Sequence, residues 1–180
     1  MGRKILITGG VKSGKSHYSL ELARTFSYPV LFLATADPND ESMKERIERH
    51  KKDRGREFET VEETIYIAQK IKDKEKVDTV MIIDCLTLWM NNLFQVLGKG
   101  SPEMLQQKKL FFQAVEETPL NLVMVTNEVG MGIYPMNQLA RDFVDELGIF
   151  NQEVAQRCDE IIYMVAGYPQ TVKRVRMDEF

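Results

Sequence analysis

The sequence predicts an α/β fold: a mainly parallel central sheet with helices on both faces. Two observations carry that prediction. Five short runs, "KILITG" (4–9), "VLFLAT" (30–35), "TVMIIDC" (79–85), "LVMVTNE" (122–128) and "EIIYMVAG" (160–167), are almost continuously apolar rather than alternating, as strands covered on both faces should be. Longer segments with helical spacing separate them, and strands alternating with helices argue for βαβ units.

The elements follow in chain order. After the first run, "KSHYSLELARTF" (15–26) sets Tyr18, Leu22 and Phe26 on one helical stripe. The second run leads into "NDESMKERIERHKKD" (39–53), with Asn39 or Asp40 as candidate N-cap. "EETIYIAQKIKD" (62–73), "PEMLQQKKLFFQAVEE" (102–117) and "LARDFVDELGIFNQEVAQRC" (139–158) continue the helical spacing between the remaining runs. The tail "QTVKRVRMDEF" (170–180) alternates around Val172 and Val175, which is compatible with an antiparallel edge strand. No repeat, low-complexity tract or linker interrupts the 180 residues, so one domain spanning 1–180 is expected.

Composition narrows the function classes. A hydrophobic share of 43% with 28% charged residues is that of a folded globular chain. The formal net charge of -3 supplies no basic field for nucleic acid. The two cysteines, Cys85 and Cys158, form neither a C-x-x-C pair nor a disulfide framework, which fits a reducing compartment. The apolar run after "MGRK" is too short for a secretory signal, and no stretch reaches the roughly 20 residues needed to span a bilayer. A cytoplasmic location without a membrane span is expected.

The first strand run ends in "GGVKSGKS" (9–16), a full match to G-x-x-x-x-G-K-[ST]. Glycines let successive backbone N–H groups turn toward phosphate oxygens, and the following helix directs its positive end at the same point. Lys15 reaches the β/γ-phosphates and the Ser16 hydroxyl ligates Mg²⁺ in this arrangement. Placed between a buried-type strand and an amphipathic helix, the motif predicts a P-loop NTPase-type three-layer fold. Asp84, which closes the apolar run "MIID", is the expected partner carboxylate for Mg²⁺ or its water. Ligands bind at the carboxyl ends of parallel strands, so Thr35-Ala36-Asp37 and Thr126-Asn127-Glu128 should border the same crevice.

A phosphate loop does not distinguish a kinase from a motor, a switch or a transferase. "ERIERHKKDR" (45–54) bears on that choice, because helical spacing puts Arg46, His50 and Arg54 on one face. Neighbouring cations disfavour imidazolium, and a neutral imidazole is a nucleophile that can attack a nucleotide's α-phosphorus. Spacing alone favours the plainer reading, a solvent-exposed histidine on a mixed-charge helix. His17, directly after Ser16, reads as a helix-surface residue. A guanine-reading N-K-x-D motif is missing, which argues against a regulatory switch; "KKDRG" (51–55) fails as a K-x-D-G nucleophile motif because Arg54 interrupts it. A small-molecule kinase without nucleotidyl transfer stays open as the alternative.

Taken together, "ILITGGVKSGKS", "LFLATADPNDESMKERIERHKKDR", "FETVEE", "DCLTLWMNNL", "VTNEVGMGIYPMNQLARDFVDELGIFNQEVAQRCDEI" and "VAGYP" resemble the bifunctional adenosylcobinamide kinase / adenosylcobinamide-phosphate guanylyltransferase family of cobalamin biosynthesis. The resemblance runs through almost the whole chain. It implies phosphorylation of adenosylcobinamide with ATP or GTP. Transfer of GMP from GTP to adenosylcobinamide phosphate follows, through a guanylyl-histidine, giving adenosylcobinamide-GDP and pyrophosphate. The histidine that matches is His50. Carried over likewise, Gly9, Gly10, Val11, Lys12, Ser13, Gly14, Lys15 and Ser16 hold nucleotide phosphates. Thr35, Ala36, Lys51, Lys52, Asp53, Arg54, Glu62 and Asp84 complete the nucleotide or metal site. The resemblance also implies a homotrimer. Where relatives often carry tryptophan after the "HK..R" run, this chain has Phe58.

Overall fold

The computed structural model describes residues 2–37, 58–76, 78–133 and 135–174. The predicted helix over 39–53 lies outside them, as do residues 175–180 of the predicted edge strand.

Among the described residues, seven strands form one sheet: β1 (Lys4–Gly9), β2 (Val30–Ala34), β3 (Glu59–Glu62), β4 (Val80–Asp84), β5 (Asn121–Val125), β6 (Glu160–Val165) and β7 (Tyr168–Arg174). Their order is β3-β2-β4-β5-β1-β6-β7. Every pairing is parallel except β6 with β7, which run antiparallel at the edge. The expected architecture is therefore present, including the antiparallel strand at the C-terminal end. The β7 strand begins directly after a tight turn from β6 and is largely exposed.

Five helices are described: α1 (Lys15–Arg24), α2 (Ile67–Asp73), α3 (Leu86–Val96), α4 (Pro102–Glu117) and α5 (Gln138–Gln156). The pleat sends alternate strand residues to opposite faces, which sorts the core into two layers. Leu6, Leu31, Leu33, Met81, Ile83, Leu122 and Met124 pack with residues of α2, α3, α4 and α5. Ile5, Ile7, Phe32, Val80, Ile82 and Val123 pack with Leu20 and Ala23 of α1 and with Phe58. The first layer centres on Trp89, whose ring lies 5.0 Å from Phe111 and 5.7 Å from Phe150. Its indole N–H is not stranded by burial, because it donates to the Ile65 carbonyl at 2.8 Å.

Two elements depart from the sequence expectation. Helical spacing suggests a helix over 62–73, yet Glu62 ends β3 and α2 starts at Ile67. The Glu63 carboxylate accepts from the amides of Ile65 and Tyr66, both at 2.9 Å, and so closes a turn where the spacing would start the helix. β3 itself is polar and mostly exposed. Edge strands are commonly blunted by charge, so "ETVE" carries no apolar signal. The second departure is α3, which follows β4 after a single residue. Its buried Leu86, Trp89, Met90, Leu93 and Phe94 keep helical spacing, but they run on from the apolar strand and hide the boundary. The ends of the other helices carry local signals. Ser101 caps α4 by accepting from the Met104 amide at 3.1 Å, with Pro102 in the first turn. Asn137 caps α5 through the Ala140 amide at 3.3 Å.

No helix among the described residues is long and apolar enough to cross a membrane.

Candidate functional site at the carboxyl ends of the strands

The loop after β1 is shaped by residues that only this backbone path accommodates. Gly9 has φ 145° and Gly14 has φ 99°, a region that side chains with a Cβ rarely adopt. A Cβ on Gly9 would lie 2.6 Å from the Met164 carbonyl oxygen, and one on Gly14 would lie 3.2 Å from Gly167 Cα. Gly14 is also the N-cap of α1, so the first helical amides open onto the loop. The loop closes on itself through the Ser13 amide, which donates to the Gly10 carbonyl at 3.3 Å.

Lys15 is buried, and its ammonium donates to the carbonyls of Gly9 at 3.0 Å and Gly10 at 2.5 Å. A third contact reaches Ser13 Oγ at 3.4 Å. The lysine thus spans the loop it belongs to. Ser16 is half-buried at the second position of α1, while Val11 and Lys12 are exposed at the tip.

One register row crosses the sheet at its carboxyl edge: Glu62, Ala34, Asp84, Val125, Ile7 and Ile162 stand opposite one another in turn. Asp84 therefore lies two strands from β1, about 10 Å at normal strand spacing. Glu62 lies four strands away, about 19 Å, and is exposed. Asp84 is within reach of a phosphate or its counter-ion at the loop; Glu62 belongs to a more distant part of the crevice.

Thr35 is fully buried. Its hydroxyl donates to the Cys85 carbonyl and accepts from the Cys85 amide, both at 2.8 Å, and its own amide donates to the Asp84 carbonyl at 3.2 Å. The side chain pins the β2 end to the residue after Asp84. Asn92 of α3 reinforces this corner, donating to the carbonyls of Thr35 at 2.8 Å and Thr64 at 3.1 Å. Ala36 follows, half-buried, at the mouth. His50, Lys51, Lys52, Asp53 and Arg54 lie outside the described residues.

The sequence puts Thr126-Asn127-Glu128 beside the crevice without giving them a role. The structure ties them down tightly. Thr126 is fully buried and donates to Asn151 Oδ1 of α5 at 2.8 Å. The Asn127 amide donates to Thr87 Oγ1 at 2.8 Å, and Asn151 Nδ2 donates to the Asn127 carbonyl at 3.1 Å. Glu128 then meets the phosphate loop itself: its amide donates to the Gly9 carbonyl at 3.1 Å, and Thr8 Oγ1 donates to its Oε1 at 2.6 Å. An acid three residues past the last residue of β5, Val125, is visible in the sequence. That β5 lies beside β1 is not.

Phe58 is buried in the α1 layer with the Arg24 guanidinium 5.3 Å from its ring centre. It is a packing residue.

The donor set suits Mg²⁺. Ser16 and Asp84 offer hard oxygens, and Mg²⁺ is commonly bound by one or two protein oxygens together with substrate phosphates and water. Among the described residues no three His, Cys, Asp or Glu side chains converge into a metal cage of their own.

Comparison with known proteins agrees with this geometry. Among solved structures, a Pyrococcus horikoshii OT3 protein superposes with TM-score 0.59 at 10% identity, covering 98% of this chain and 89% of the other. The type III secretion ATPase EscN of enteropathogenic E. coli gives 0.53 at 12%, covering 92% and 43%. The RadB recombinase gives 0.51 at 10%, covering 90% and 74%. These likenesses establish the P-loop NTPase-type fold alone. Sequence relatives go further. The chain is 34% identical to the bifunctional adenosylcobalamin biosynthesis protein CobP of Pseudomonas aeruginosa, over 93% of this chain and 96% of the relative. It is 34% identical to CobU of Salmonella typhimurium and 33% identical to CobU of Escherichia coli K12, each over 94% of this chain and 99% of the relative. A profile of the CobU family, described as cobinamide kinase / cobinamide phosphate guanyltransferase, matches residues 5–172. With a phosphate loop, its lysine and a strand-end aspartate in place, this chain belongs to the cobinamide kinase / cobinamide phosphate guanyltransferase family of enzymes.

Proposed function

We propose that the protein phosphorylates adenosylcobinamide with ATP or GTP. It then transfers GMP from GTP to the new phosphate by way of a guanylyl group on His50. The observation that carries this reading is the phosphate loop with Lys15 across it, two strands from Asp84, in a chain whose relatives are named as bifunctional adenosylcobalamin biosynthesis proteins.

The chemistry divides into three displacements at phosphorus. In the first, the acceptor hydroxyl attacks the γ-phosphorus, its proton leaves, and the bond to the β-phosphate oxygen breaks to release the nucleoside diphosphate. In the second, a neutral imidazole nitrogen of His50 attacks the α-phosphorus of GTP and pyrophosphate departs. In the third, an oxygen of adenosylcobinamide phosphate attacks that α-phosphorus and the P–N bond breaks, restoring the imidazole. Lys15 and the α1 amides neutralise charge on the transferring groups. Ser16 and Asp84 would hold Mg²⁺, which would supply further charge neutralisation on the phosphates. Lys51, Lys52 and Arg54, next to His50 in the "HKKDR" segment, supply positive charge for the nucleotide phosphates. Glu62, at the far side of the sheet edge, serves a part of the nucleotide away from the phosphates. A homotrimer is the assembly expected from the resemblance.

The test is incubation with α-labelled GTP and Mg²⁺, followed by acid or alkali treatment of the protein. Label that is acid-labile and alkali-stable, and absent from His50→Ala, supports the guanylyl-histidine. Equal labelling of His50→Ala and wild type, or no covalent label at all, overturns it. Absence of label with intact phosphorylation of adenosylcobinamide identifies a kinase without nucleotidyl transfer.

A further inference from the structure

We propose that Glu128 is the general base that takes the proton from the acceptor alcohol in the phosphoryl-transfer reaction, with Thr8 holding its carboxylate in place. The inference rests on the proposed bifunctional reading and assigns a residue to one of its two activities.

The chemistry asks for such a group in only one of them. An imidazole nitrogen and a phosphate oxygen attack with lone pairs that carry no proton. An alcohol must lose its proton as the new O–P bond forms, and a positioned carboxylate is the usual acceptor in phosphoryl transfer. A base at the phosphate loop therefore serves the kinase step and has no work in guanylyl transfer.

Position selects Glu128 among the strand-end carboxylates. Asp84 and Glu62 lie two and four strands from β1, whereas the Glu128 amide is bonded to the first loop residue, Gly9, at 3.1 Å. The side chain is oriented as well as placed. Thr8 is buried, and its hydroxyl donates to Glu128 Oε1 at 2.6 Å, leaving Oε2 without a hydrogen bond among the described residues. The approach from β5 is fixed by the Thr87, Thr126 and Asn151 contacts described above. A half-buried carboxylate with one oxygen held and the other available is the geometry a base requires. In the step, Glu128 Oε2 gains the proton, the alcohol oxygen forms its bond to the γ-phosphorus, and the β-phosphate oxygen keeps the electrons of the bond that breaks.

The test measures the two half-reactions separately in wild type, Glu128→Gln, Glu128→Asp and Thr8→Val. One assay follows phosphorylation of adenosylcobinamide; the other follows guanylyl transfer to preformed adenosylcobinamide phosphate. Glu128→Gln keeps the shape and the Thr8 contact. It is expected to lower kcat for phosphorylation by about 100-fold or more, with KM for the nucleotide little changed. Any fall in guanylyl transfer should be at least tenfold smaller than the fall in phosphorylation. Glu128→Asp should recover part of the lost rate, and Thr8→Val should lower phosphorylation by a smaller factor than Glu128→Gln. Equal falls in both half-reactions would show that Glu128 only shapes the loop, and would overturn the proposal. So would a rise in nucleotide KM at constant kcat, or a Glu128→Gln variant within about threefold of wild type. Wild-type protein that transfers guanylyl groups but never phosphorylates adenosylcobinamide overturns the kinase half of the proposed function, and this inference with it.

Discussion

Gly167 donates its amide to the Ser13 carbonyl at 3.0 Å, so the turn between β6 and β7 is bonded directly to the phosphate loop. The same turn approaches Gly14, where a Cβ would come within 3.2 Å of Gly167 Cα. The antiparallel hairpin at the sheet edge is thus a support for the loop as well as an edge. Gly14→Ala meets both this contact and a φ of 99°, a conformation that costs a residue with a Cβ about 1–2 kcal/mol. We expect lower stability in urea and at least a tenfold weaker GTP affinity by calorimetric titration. The buried Trp89 is the chain's one tryptophan and provides the unfolding signal.

Lys15 donates to the Gly9 and Gly10 carbonyls of the loop, and the proposed function gives it the nucleotide phosphates as well. Lys15→Met keeps the length of the side chain and removes the charge. Hydrogen bonds to charged groups contribute about 1.5–3 kcal/mol, so GTP affinity should fall roughly 10- to 100-fold. Undiminished binding would remove the phosphate loop from the site.

The family resemblance implies that Thr35 contacts nucleotide, yet its hydroxyl is occupied by both polar groups of the Cys85 backbone. Thr35→Val preserves the shape and removes both bonds in a fully buried corner. The expected loss is about 2 kcal/mol of stability, with GTP affinity changed less than threefold. A large affinity loss at unchanged stability would return the hydroxyl to the nucleotide.

Burial pushes the Cys158 thiol up to about 12. Its folded-state value is raised above the unfolded one, so the folded chain keeps its proton where the unfolded chain releases it. The stabilising contribution is complete below about pH 9 and is lost as pH rises toward 12, by about 1.4 kcal/mol per pH unit in that window. Urea midpoints of wild type should fall more steeply between pH 8 and about pH 10.5 than those of Cys158→Ala, in which the group is missing. Both cysteines are buried, and thiol reagents at neutral pH should label them only after denaturant is added.

Much of the fold and part of the site are legible in the residues alone. The apolar runs that form β1, β2, β4, β5 and β6 announce themselves because strands buried on two faces can carry few polar residues. The phosphate loop is legible because its glycines, lysine and serine serve contacts made within eight consecutive residues. The resemblance to the family can likewise be read from motifs in order along the chain. Local signals fail where an element has no local reason to look like itself. β3 is a charged edge strand, and the start of α3 is hidden in the apolar run it continues.

What the sequence by itself determined, then, is what short-range chemistry specifies: a P-loop NTPase-type α/β fold, the phosphate loop, and Asp84 at a strand end. Tertiary structure alone decided the strand order that brings Glu128 onto Gly9 and the Gly167 turn onto Ser13. It also decided that Thr35 faces the protein interior. These contacts join residues far apart in sequence, and strand pairing is set by burying two apolar faces at once rather than by any signal within a single strand.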